Sequence, residues 1–81
     1  MNPNMLNKIK KMQKQIQDAQ EELEASEFTG KASGVTVIMQ GTRQVIDVKI
    51  DADLLDEVEM LQDAVLLAVN DALAQIEKRQ E

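Results

Sequence analysis

The residues best placed to do chemistry in this chain are four lysines near its start. Lys8, Lys10, Lys11 and Lys14 fall within residues 1–17, a stretch that holds no acid and therefore carries a local charge of +4. Ammonium groups at this density bind polyanions by displacing their counterions, and here Asp18, four residues after Lys14, is the one carboxylate within a helical turn of any of them. A run of lysines is ordinarily just a solvated helix face. The missing acids, and a dimer that would double the cluster, favour contact with the phosphates of duplex DNA. If about four to six such groups met phosphates, affinity would fall with salt at a log–log slope of about −4 to −5. Arg43 and Arg79 could also reach phosphates or base edges, although simple solvent exposure explains each of them. Phe28 is the one aromatic residue, so stacking against single-stranded bases is not available.

Other constellations dissolve on inspection. Asp51, Asp53, Asp56 and Glu57 are close in sequence and could bind a divalent cation, but a calcium loop needs a central glycine where this stretch has none. The same acids suit the start of a helix, where they cap backbone N–H groups and meet the positive end of the dipole. Gly30, Lys31, Ser33 and Gly34 resemble a phosphate loop only in composition, because Gly34 opens a strand and not a helix. The chain has neither histidine nor cysteine, which removes the usual general base, the usual zinc ligands and any disulfide. The expectation is a non-enzyme with no cofactor, no metal and no small-molecule substrate.

An 81-residue chain makes one domain with a small core. That core must be aliphatic, since Leu, Ile, Val and Phe together supply 22 residues. The net charge of −6 speaks against a nucleic-acid partner until its distribution is considered. From Asp51 onward nine acids face only Lys78 and Arg79, a local charge of −7, so the chain is polarised from a basic start to an acidic end. No run of about 18 apolar residues suggests a membrane span, and the start lacks the layout of a signal peptide. A cytoplasmic location is expected.

Three segments must position these charges. Residues 1–26 read as a long helix, opened by Asn2 and Pro3, with Met5, Ile9, Met12, Ile16, Ala19 and Leu23 spaced 4, 3, 4, 3 and 4 apart. That is a heptad seam, with Ile9, Ile16 and Leu23 at one core position and Met12 and Ala19 at the other. The lysines lie away from it, Lys8 at its border. The seam is expected to hold this prong to the body of the molecule. Residues 27–51 alternate as strands, Val35 to Gln40 and Val45 to Ile50 around a Gly41-Thr42-Arg43 turn, with a short third strand near Glu27 to Lys31 making a meander of two to three strands. Residues 52–81 form a connector and a final helix from about Asp56 or Glu57 to Gln80. Its block Ala64–Val69 is apolar around the whole circumference, and a helix apolar all round is buried all round. One thin sheet cannot surround it, so a homodimer is expected. Ile38 and Val45, apolar on the outer sheet face, are candidates for the contact, as are Leu66 and Leu67. The fold class is α+β.

Several stretches taken together resemble the YbaB/EbfC family of bacterial nucleoid-associated proteins. They are Lys11 to Gln17, Phe28-Thr29-Gly30, a valine-rich strand ending in Gly41, Val48 to Leu55, Glu59 to Asp63, and Asn70-Asp71-Ala72. The resemblance covers nearly the whole chain. It implies a tweezer-shaped homodimer with long helices as prongs, binding double-stranded DNA in the nucleoid. It also places DNA contact on the prong, at Lys8, Lys10, Lys11 and Lys14. The competing reading is a dimeric protein-interaction adaptor with the acidic final helix as its docking surface. A metal- or nucleotide-handling enzyme is the weakest reading.

Overall fold

The computed structural model describes residues 2–80. In order it runs α1 (Pro3–Ala25), β1 (Glu27–Ala32), β2 (Val35–Gln40), β3 (Val45–Ile50), a single 3-10 turn (Ala52–Leu54) and α2 (Val58–Gln80). The meander has its full three strands, in the order β1-β2-β3, all antiparallel. This is the expected α+β arrangement of a sheet between two long helices.

Local chemistry sets each boundary. The Asn2 side chain accepts a hydrogen bond from the Asn4 amide at 2.9 Å, and Pro3 takes the first helical position, where no amide hydrogen is needed. At the far end the Ser26 hydroxyl donates to the Glu22 carbonyl at 2.7 Å, and the chain turns extended. Ser33 and Gly34 both adopt positive φ, 44° and 91°, between β1 and β2. Two such residues make the tight turn whose twist matches paired strands. The β2–β3 connection carries Arg43 at φ 71°, and the pairing slips by one residue between Ile38 and Met39.

α2 lies across the sheet on its smallest residues. Ala64, Ala68 and Ala72 recur every fourth position, are fully buried, and share their face with Ile76. Opposite them β1 supplies Gly30, where an added methyl would overlap the Ala68 carbonyl. The sheet contributes Phe28, Val35, Val37 and Met39, and Leu54 closes one end. Two side-chain ties fix the helix along the outer edge of β1: the Lys31 amide donates to Asp71 Oδ2 at 3.0 Å, and Gln75 Nε2 donates to the Thr29 carbonyl at 2.8 Å.

One expectation needs correction. The seam of α1 does not hold the prong to the body. Met5, Leu6, Ile9, Met12 and Ile16 are exposed, and Leu23 alone of the helix is buried, against Phe28, Met39 and Ile76. The helix projects past the sheet and gives the molecule extents of 68 × 17 × 12 Å. The apolar block of α2, as expected, is not enclosed within one chain: Leu66 and Leu67 are 60% and 56% exposed.

Candidate nucleic-acid interface

A helix turns about 100° per residue, so on α1 Lys10, Lys11 and Lys14 fan across the side opposite the seam while Lys8 borders it. All four are exposed. Among the described residues the one ion pair is Arg79 to Glu22, at 3.7 Å, so none of the four is neutralised by a carboxylate. The structure therefore brings the predicted lysines together on one free surface.

The charge order on α1 sharpens this observation. Its first half is basic, and Asp18, Glu21, Glu22 and Glu24 follow in its second half. The first turn holds no acid and the last turn no base. A helix has a positive N-terminus and a negative C-terminus, so this arrangement opposes the dipole at both ends. In the same molecule α2 does the reverse, with Glu59 in its first turn and Lys78 and Arg79 in its last. Stability favours the α2 pattern. The α1 pattern sacrifices some of it and gathers lysine charge in the half of the helix nearest the positive end of the dipole, where the two add toward an anion. Replacing Asn4 by Glu should therefore raise α1 helicity, stabilising the helix by about 0.3–1 kcal/mol, and weaken duplex binding. Far-UV circular dichroism and a binding titration on the same variant check both halves.

The other basic groups gather at the root of the prong. Arg43 Nη2 donates to Gln80 Oε1 at 3.0 Å. Arg79 reaches Glu22 and lies 6.0 Å from the centroid of the Phe28 ring. With its side chain half exposed, the Arg79–Glu22 pair adds little stability. Both arginines are thus engaged at the joint between α1, the β2–β3 turn and the end of α2. Sequence spacing gives no sign of this, because the three segments meet only in the fold.

The four candidate contact residues for a dimer are separated. Ile38 is half-buried on the sheet face turned away from α2, among Thr29, Thr36 and Asp47. Val45 stands opposite Met39, so the slipped register carries it to the other face from Ile38. Leu66 and Leu67, about 100° apart on α2, occupy different flanks. The residues the sequence reading missed are on β3. Val48 and Ile50 pair with the buried Val37 and Val35 and face the same way, yet they remain 46% and 44% exposed. On α2, Val65, Val69 and Leu73 are likewise only partly covered. Among the described residues no three acidic, histidine or cysteine side chains converge to hold a metal ion, and the acids near Asp51 lie in the connector.

The model of the YbaB/EbfC DNA-binding family matches residues 1–81. The chain belongs to this family. A nucleoid-associated protein of Enterococcus faecalis is 46% identical over 81 residues, covering 95% of this chain and 78% of the relative. One from Legionella pneumophila is 42% identical over 78 residues, covering 93% and 70% respectively. Among solved structures, an uncharacterized protein of Helicobacter pylori superposes with a TM-score of 0.78 at 25% identity, over 99% of this chain and 89% of that one. The projecting α1, the three-stranded meander and the alanine-faced α2 are thus the frame of a YbaB/EbfC domain. No described helix of this family member is long and apolar enough to cross a membrane.

Proposed function

We propose that this YbaB/EbfC protein acts as a homodimer that binds duplex DNA in the bacterial nucleoid. Contact is mainly electrostatic, through Lys8, Lys10, Lys11 and Lys14. One observation carries the reading: the basic half of α1 stands clear of the body, free of acids, with its charges adding to the helix dipole. Such a surface reads phosphate charge and not base sequence. The names of the curated relatives, nucleoid-associated proteins, agree with it.

The dimer half of the proposal rests on apolar surface that one chain leaves uncovered. Val48 and Ile50 on the α2 side of the sheet and Leu66 on α2 are the apolar side chains it leaves exposed there. Val45 lies on the same strand, while Ile38 and Leu67 offer separate surfaces for a partner chain. At low micromolar concentration sedimentation should give twice the chain mass, and pairing Ile50→Asp with Leu66→Asp should return the monomer. For DNA, a salt titration with a mixed-sequence duplex should give a log–log slope of about −4 to −5. No detectable binding at low salt would sink the DNA reading and leave the adaptor reading in its place.

A further inference from the structure

The exposed seam of α1 has the form of a contact with itself. We propose that α1 pairs antiparallel with α1 of a second copy, seam to seam, centred near residue 14. Three observations carry this.

The first is symmetry of spacing. Intervals of 4, 3, 4, 3 and 4 read the same in both directions, so two antiparallel copies align every seam residue at once. Met12 then meets the partner's Ile16 and Ile9 the partner's Ala19, while Met5 reaches the end of the seam where the partner's Leu23 is already buried in its own body. Residue 14 is also the midpoint of the helix as folded, Pro3–Ala25, so the whole exposed length is used.

The second is charge. A basic first half and an acidic second half repel when two copies run parallel and attract when they run antiparallel. Lys8 and Glu22 each immediately precede a residue at one core position, Ile9 and Leu23, and so flank the same side of the seam. In an antiparallel pair such flanking positions face one another, which sets Lys8 against the partner's Glu22 twice over. Lys10, Lys11 and Lys14 stay on the outer side, free for phosphates.

The third is shape. Where α1 meets the end of α2 there is a crotch of about 480 Å³ walled by Ile16, Ala19, Leu23, Arg79 and Gln80. Its floor is made of the residues that the pairing sets opposite Met5 and Ile9 of the other copy. Within one chain nothing fills it. The incoming tip does.

This contact goes beyond the proposed body dimer and is separate from its β3 strip. At high protein concentration a chain with both surfaces would link dimers prong to prong, each contact having its own two-fold axis. The chain has no cysteine, so cross-linking can be read without background. Ile9→Cys and Ala19→Cys chains, mixed and oxidised without DNA, should form the mixed disulfide, while either variant alone should give almost none. In an antiparallel pair two copies of position 9 stand about 15 Å apart along the axis. Homotypic cross-links in place of mixed ones would overturn the proposal, and so would the absence of cross-links at high protein concentration. Lys8→Glu or Glu22→Lys should each lower the mixed yield, and the double swap should restore it; a double swap that stayed low would count against the pairing. Positions 8, 9, 19 and 22 are exposed, and the half-exposed Arg79–Glu22 pair lost in Glu22→Lys adds little stability, so these variants keep the body fold, which circular dichroism verifies. Failure here would leave phosphate binding and the β3 dimer untouched, because the salt titration and the Ile50 and Leu66 variants test those separately.

Discussion

Reversing Lys10, Lys11 and Lys14 to glutamate together is expected to lower affinity for duplex DNA by about a thousandfold or more at moderate salt. That is the order of loss which a protein with roughly six to ten phosphate contacts suffers between about 50 and 200 mM salt. A dimer carrying this variant loses six positive charges and gains six negative ones, so the electrostatic term is inverted and not merely weakened. Folding should be unaffected, since these side chains have no partner in the body and lie opposite the seam. A titration followed by fluorescence anisotropy, run beside circular dichroism and sedimentation, separates the two effects. Unchanged binding by a folded dimer would show that the prong is not the contact surface.

The second large effect concerns stability. Gly30→Ala should cost about 1–3 kcal/mol, the usual range for forcing atoms into a packed core. A methyl at position 30 would overlap the Ala68 carbonyl and crowd the Ala72 amide at 2.8 Å. Both are backbone atoms in the middle of α2, so no side chain can swing aside. Relief requires the helix to lift from the sheet, along the stripe where Ala64, Ala68 and Ala72 hold it close. For a domain of this size each kcal/mol lowers Tm by about 4–8 °C, so the loss should be on the order of 10–20 °C. Lys49→Ala, on the exposed edge strand, is the control. A Gly30→Ala protein that melts within a degree or two of the parent would mean that α2 does not ride as close to β1 as described.

Much of this architecture was legible in the residues. Asn2-Pro3 marked the start of α1, the alternation of Val35, Val37 and Met39 marked a half-buried strand, and the acid-free lysine stretch marked the charged surface. Periodicity reveals that an apolar face exists; it does not say what covers it. For that reason the seam of α1 reads equally well as a contact within the chain or between chains, and the expectation that it holds the prong was wrong. The β3 face shows the same limit. Val48 and Ile50 alternate like core residues, but a helix about 10 Å across covers only about two strands spaced roughly 4.8 Å apart. The two side-chain ties from Asp71 and Gln75 draw α2 toward β1, so β3 is the strand left over. Neither tie has a sequence signature, since they join residues 40 and 46 positions apart. The slipped register that moves Val45 to the face of Met39 was hidden for a similar reason, because a bulge depends on how two strands pair and not on either alone.

The single buried anchor of α1 has a thermal consequence. Outward of Leu23 an unpaired prong behaves as a tethered peptide, and helices of this length without tertiary packing sit near the coil transition in water. Warming should therefore melt the arm by degrees, from its tip inward, well below the temperature at which the sheet gives way. Amide exchange should follow the same gradient, fast near Lys8 and slow through β2. A ligand captured by this arm must first stiffen it, so capture weakens as temperature rises even though no contact has changed. The body keeps its shape across that range, and the grip alone acts as the thermometer.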